Sequence, residues 1–204
     1  MQAGRRRDVI AWLLFSLVCA GGSAGLAWLA PALPLPGPLR GAALLLAWIV
    51  LPLMSLLGPL LLLRRVPRKQ RRVAWQLVVP VVAGVALGVL GGRAGDQAAL
   101  AGRGTWAVAE VVAVDQGRTN RCELRTAEGR AVSPSLSEQD GCGDSIAKGD
   151  RLRVRYDPEG AARPVERVDG TSYAGLLAGL LLAAVLMGTW GGVRQSRWDR
   201  AHIG

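Results

Sequence analysis

The chain has a single histidine, His202, in a tail that follows the last apolar stretch. With its imidazole there, neither a Ser-His-Asp triad nor a histidine metal site can be assembled in the polar middle of the chain. Ser133, Ser135 and Ser137 share a polar segment with Pro134. A nucleophile there would lack a base, and a flexible connection is the expected role. Glu138, Asp140, Asp144 and Asp150 flank that segment. Their spacing matches no calcium loop, so solubility is their expected task. No glycine-rich phosphate loop follows a strand. The residues thus predict no enzyme, no metal and no cofactor. Cys122 and Cys142 carry more information, being the only cysteines of the polar middle segment. Bridged, they close a loop of about 20 residues, worth roughly 3 kcal/mol in the chain-entropy model, and a disulfide is expected. Cys19 sits in an apolar run, where a small packing residue suffices.

Charge at alternate positions offers binding rather than catalysis. Arg151, Arg153 and Arg155 alternate with Leu152, Val154 and Tyr156, and Arg121, Glu123 and Arg125 alternate with Cys122, Leu124 and Thr126. A period of two is that of a strand with one buried face. It makes Arg121, Arg125, Arg151, Arg153 and Arg155 a candidate binding surface. If their strands are adjacent, they form a basic patch suited to cell wall or outer-leaflet headgroups; with Glu123 among them, ordinary cross-strand pairing is the better reading.

The elements that must hold this stripe form a small β domain from about Thr105 to Asp169. Trp106 to Val114 reads as a first strand with Trp106 in the core. A Glu128-Gly129 turn leads back through Ala131 and Val132, and Val165 to Val168 makes a short last strand. Four or five such strands predict a half-open barrel or curled sheet of the SH3-like or OB-like kind. A core this small commonly needs a covalent staple.

The run Gly149-Asp150-Arg151-Leu152-Arg153-Val154-Arg155-Tyr156-Asp157-Pro158 resembles the Gly-Asp-x-Val-x-Val-x-Tyr-Asp-Pro signature of uncharacterised bacterial membrane proteins, the domain of unknown function 3592. The resemblance implies a β module between membrane spans and brings no activity with it. Ala109-Glu110-Val111-Val112 and Glu159-Gly160-Ala161 depart from that family's pattern. In its own chemistry the run is structural, a Gly-Asp turn entering a strand that Asp157-Pro158 ends. The Ala, Gly, Arg and Trp bias resembles that of actinobacterial proteins.

Around the polar domain lie four uncharged apolar stretches, residues 9–30, 41–63, 73–92 and 173–193. About 20 residues at 1.5 Å each cross a hydrocarbon core of roughly 30 Å, so each is predicted to span a membrane. Arg5, Arg6 and Arg7, then Arg64, Arg65, Arg68, Lys69, Arg71 and Arg72, then Arg194, Arg197 and Arg200 flank them on alternate sides. The positive-inside rule places these clusters and both termini in the cytoplasm, and residues 93–172 outside the plasma membrane between the third and fourth spans. The predicted class is an α+β membrane protein, with residues 1–92 and 173–204 supplying spans and cytoplasmic tails. The same clusters account for the formal net charge of +10, since their twelve basic residues face only Asp8 and Asp199. Nucleic acid is therefore not an expected partner, while anionic inner-leaflet lipid is. The first stretch imitates a secretory signal. At 22 residues, followed at once by another span, it is expected to remain as a helix.

No Asp, Glu, Lys, Arg or His lies inside any predicted span, so a proton or ion pathway is not signalled. Pro52, Pro59 and Pro80 should kink the second and third spans, and Gln76 is expected as a packing amide beside Trp75. Gly21 and Gly25, Gly84, Gly88 and Gly92, and Gly175 and Gly179 stand one turn apart, the spacing of close helix contacts. They predict that the third and fourth spans pack side by side, or that copies of the chain pair. The expected function is interaction or regulation at the cell envelope, through an envelope protein or another membrane protein. An accessory subunit of a transporter or small-solute channel, and immunity against a secreted toxin, are the alternatives.

Overall fold

In the computed structural model the described residues are 2–63, 75–167 and 172–202. The predicted clusters at residues 64–72 and the end of the predicted strand at Val168 lie outside them, as do the side chains of Arg5, Trp75, Asp199 and His202. Two compact units divide the chain, a helical one of Met1–Trp28, Gly37–Gly92 and Tyr173–Gly204, and a sheet unit of Leu29–Pro36 and Arg93–Ser172.

Helix α1 covers Gln2–Ala32. The second span is α2, Gly37–Leu45, a π-helical turn Leu46–Val50, and α3, Leu51–Leu63. A 3₁₀ turn at Trp75–Leu77 leads into α4, Val78–Arg103, and α5 runs from Ala174 to His202. Four helical stretches, Arg6–Ala32, Gly37–Leu61, Val78–Arg103 and Ala174–Trp198, are long and apolar enough to cross a membrane. They outrun the predicted stretches. The helix that should end at Gly92 continues to Arg103, so Arg93, Asp96 and Arg103 are helical, as is Arg40 in α2. Charge marks where a membrane helix leaves hydrocarbon, and nothing in residues 93–103 breaks a helix.

The π turn has a local cause. Pro52 has no N–H and its ring crowds the preceding turn, so the ladder widens: the Leu51 N–H reaches the Leu46 carbonyl, five residues back. That leaves the Ala47 carbonyl without a donor from Leu51 or Pro52. The fully buried Ser23 of α1 supplies one, its Oγ lying 2.5 Å from the Ala47 oxygen. The Gly84 carbonyl of α4 is 2.9 Å from the same Oγ, so one hydroxyl proton serves two helices in turn. Ala20 of α1, Ala83 and Leu87 of α4 and Ala184 of α5 form a buried cluster there, flanked by Leu177, Leu180, Leu181 and Val185.

The sheet unit has four antiparallel strands, β1 Thr105–Gln116, β2 Asn120–Thr126, β3 Ala131–Ser137 and β4 Arg151–Tyr156, in the order β3-β2-β1-β4. It is an open sheet, which corrects the barrel-like SH3 or OB expectation: β3 and β4 are its two edges and never meet. The predicted last strand is one bridge, Val165 to Arg155. Gly129, at φ +82°, closes the β2-β3 hairpin, a backbone conformation suited to glycine. Alternation puts Ala109, Val111, Cys122, Leu124, Val132, Leu136, Val154 and Tyr156 on the inner face. Cys142, bonded to Cys122 with Cα atoms 5.7 Å apart, pins the 138–150 segment under that face, and both cysteines are fully buried.

Candidate functional site

The outer face of the sheet carries the predicted arginines, in an arrangement set by β1. Its first half pairs with β4, placing Trp106 beside Arg155, Val108 beside Arg153 and Glu110 beside Arg151. Its second half pairs with β2, placing Glu110 beside Arg125 and Asp115 beside Arg121. The two arginine-bearing strands are therefore not neighbours, and β1 runs between them. A bulge between Val111 and Ala113 shifts the second ladder. The arginines follow β1 from end to end, Arg155, Arg153 and Arg151 on one side, Arg125 and Arg121 on the other, with the crossover at Glu110.

Around that crossover lies a concavity of about 390 Å³, lined by Val108, Glu110, Val112, Arg125 and Arg151 and closed by the Ala127–Gly129 turn. Beyond the concavity, beside Arg155, Trp106 is 43 % exposed, and the Arg153 guanidinium carbon stands 5.2 Å from its ring centroid. This corrects the expectation of a core tryptophan. Every position from Trp106 to Val114 except Glu110 is apolar, so composition does not tell the faces apart, and pairing decides: Ala107, Ala109 and Val111 point inward with Val154 and Leu124. Cross-strand pairing of the stripe is also not found. Among the described residues none of the five arginines forms an ion pair, although Glu110 and Asp115 stand in register with three of them. The Arg155 Nε is buried with no hydrogen-bond partner.

A second charged centre lies at the Tyr-Asp-Pro turn, which the sequence alone marks only as a strand end. The Asp157 side chain is fully buried and accepts Arg103 Nε at 3.0 Å and Nη2 at 2.9 Å. The same carboxylate accepts the backbone amides of Glu159, Ala161 and Ala162, each at 3.1 Å. Arg103 also donates to the carbonyls of Pro31 and Ala32, both at 2.7 Å, which end α1 and have no helical partner. Its Nε lies 3.2 Å from Glu159 Oε2. Burial alone would raise the Asp157 carboxyl, but the Arg103 hydrogen bond and the amides of Glu159 and Ala162 outweigh it, so its pKa lies below the ordinary value. The signal was present as an Asp before Pro at a strand end, but its arginine is 54 residues away.

The other candidates are placed as follows. Glu138 accepts the Asn120 backbone amide and Asp144 the Asn120 side chain, so both hold the start of β2, while Asp150 accepts the Ala147 amide within its own turn. Ser137 donates to Asp140 at 2.5 Å, and the Ser133–Pro134 peptide bond is cis. Among the described residues no three His, Cys, Asp or Glu side chains converge as a metal site would require. In the helical unit, a Cβ on Gly84 would stand 3.3 Å from Pro52, and one on Gly88 2.7 Å from Trp48. Both glycines thus face the second span. Gly175 and Gly179 have nothing within 4 Å, and α5 instead makes its close approaches through Gly188, Gly191 and Gly192 against Ser16, Pro80, Leu77 and Trp12. Between Ser16, Cys19, Ser55 and Pro80 is a cavity of about 10 Å³, at most a single water.

No family model, curated protein or solved structure matches the chain, and the resemblance of residues 149–158 gains no support from them.

Proposed function

We propose that this chain is a multi-pass bacterial membrane protein with both termini in the cytoplasm, whose sheet unit lies outside and mediates interaction or regulation at the cell envelope. The positive-inside distribution of Arg and Lys supports the orientation. The interaction reading rests on one observation, the outer sheet face, where five arginines form no ion pair among the described residues and two of them, Arg153 and Arg155, stand beside exposed Val108 and Trp106. Guanidinium groups left unpaired beside in-register carboxylates, next to a large exposed aromatic ring, have the composition of an interface rather than of an ordinary solvated surface.

Photocrosslinking in intact cells from a photoreactive residue at position 153 tests this reading, with a nonreducing gel reporting the Cys122–Cys142 bond. A discrete adduct that forms with the bond intact, and is lost when the crosslinker sits at Ser145 instead, is the expected result. Equal labelling from both positions, or label delivered only by a reagent confined to the cytoplasm, would remove the proposal.

A further inference from the structure

From the arginine-bordered outer face we infer that its occupant is an extended, acidic peptide segment of a partner protein. This rests on the binding role just proposed and gives it a chemistry.

Three features on the face select the occupant. The first is spacing. Along β4, Arg151, Arg153 and Arg155 stand at every second residue, about 6.6–6.8 Å apart, the repeat at which an extended chain presents side chains to one side. A peptide with carboxylates two residues apart meets Arg153 and Arg155, clear of Glu110, which stands in register with Arg151. The second is the apolar strip. Val108 is 53 % exposed and Trp106 43 %, both on β1 directly beside Arg153 and Arg155. A peptide side chain can cover such a strip, whereas an anionic wall polymer made of phosphate and polyol has no group to do so. The third is shape. The concavity between Arg125 and Arg151 lies below its rims and has Glu110 at its centre. A planar bilayer cannot follow it, and a uniformly anionic chain would be repelled there. The face therefore asks for acidic residues over Arg153 and Arg155 and a neutral or basic residue over Glu110.

Among the described residues no carboxylate already fills this role. The carboxylates in register, Glu110 and Asp115, leave the guanidinium groups without ion pairs, and the Arg155 Nε is buried without any acceptor. An incoming carboxylate meets the exposed Arg153 guanidinium group, and charge-assisted hydrogen bonds to guanidinium are among the stronger kinds.

The test uses the full chain in nanodiscs of zwitterionic lipid and a fluorescein-labelled ten-residue peptide alternating Glu and Thr. Controls are a peptide of the same composition with its glutamates in one block, and vesicles containing phosphatidylglycerol. The alternating peptide should bind at least about fivefold tighter than the blocked one. The double variant Arg153→Glu, Arg155→Glu should weaken it at least about tenfold, with Cys122–Cys142 still bonded on a nonreducing gel. Trp106→Ala should weaken it by a factor that raised salt does not abolish, since salt screens the charges and not the ring. Equal affinity for both peptides, indifference to the double variant, or capture by phosphatidylglycerol vesicles through the same arginines would overturn the inference. Crosslinking from position 153 separates the two levels: an adduct mapping to a neutral or basic segment keeps a binding module and removes the acidic partner, while absence of any adduct removes both.

Discussion

The helical unit and the sheet unit solve the problem of holding together in opposite ways. The sheet has an inside and an outside that differ in polarity, so alternation of apolar and charged residues decides which side chains are buried. Its small core is then secured by two devices of long reach, the Cys122–Cys142 bond and the Arg103–Asp157 pair. The helices have no such polarity difference. Leu14, Val18, Leu53, Val82, Leu182 and Leu186 face outward and are as apolar as the interior, which is instead built from small residues such as Ala20, Ser23, Ala83, Gly88 and Ala184. In lipid, tails match leucine, and association depends on close backbone approach and interhelical hydrogen bonds. The sheet is specified by polarity, the bundle by size.

The largest effect that would break this comparison belongs to Asp157. Asp157→Ala leaves Arg103 facing two carbonyls and strips three amides of their acceptor, and should destabilise the sheet unit by about 3–4 kcal/mol. Thermal unfolding of the full chain in detergent, read by protease cleavage within residues 105–167, measures it. The pH dependence has a defined sign. The folded pKa lies below the ordinary value of 3.8, so the contribution is complete above that value and is lost as pH falls through the depressed folded one. Asp157→Asn should remove that acid sensitivity. An unchanged acid limb in Asp157→Asn would assign acid unfolding to other groups.

Next comes the covalent device. Cys142→Ser opens a loop with a sequence separation of 20, and should cost about 3 kcal/mol, again only in the sheet unit. A parallel loss of protection in α5, in α1 before residue 29 or in α4 before residue 93, measured by hydrogen exchange, would show that the two units do not hold separately.

These two devices were unequally legible. Cys122 and Cys142 announce themselves by residue type in a segment with no other cysteine, and strand phase is written in the alternation of Arg151 to Tyr156. The Arg103–Asp157 pair is invisible because nothing in a sequence couples one of many arginines to one aspartate 54 positions on. Trp106 lies on the outer face although the sequence places it in the core, because a strand apolar on both faces carries no phase, and the half-open barrel or curled sheet expected from four or five strands is an open sheet of four, because strand count does not determine closure. In the helices, four stretches long and apolar enough to cross a membrane follow from length and hydropathy alone, but which glycines touch is decided by helix rotation, which an all-apolar surface does not encode.

In the bundle the effects should be smaller. Ser23→Ala deletes the only side-chain donor described for the Ala47 carbonyl, beside a proline that cannot replace it. An orphaned buried carbonyl costs about 1–2 kcal/mol, and measured interhelical hydrogen bonds in membranes lie toward the lower end. The expected readout is a lowered unfolding midpoint in detergent with sheet-unit protease resistance unchanged. Ser23→Thr, which keeps the hydroxyl, should recover most of the loss if its added methyl group is accommodated, and Ser23→Cys, a weak donor of similar size, should recover little.

The smallest effect tests the size argument most directly. Gly175 and Gly179 have the same four-residue spacing as Gly84 and Gly88, and a sequence pattern treats the two pairs alike. Their surroundings differ. A Cβ at Gly88 would stand 2.7 Å from Trp48 and 3.3 Å from the Ala47 carbonyl oxygen, whereas Gly175 and Gly179 face open space. Gly88→Leu should therefore overpack the contact and cost about 1–3 kcal/mol, while Gly175→Ala with Gly179→Ala should change the monomer by no more than about 1 kcal/mol, in the stabilising direction, because alanine is the better helix former. If the alanine pair instead lowers the unfolding midpoint at high protein concentration and not on dilution, those glycines are a contact between copies of the chain. The single-chain bundle would then be held by Gly84, Gly88, Gly188, Gly191 and Gly192, and the open pair would serve assembly.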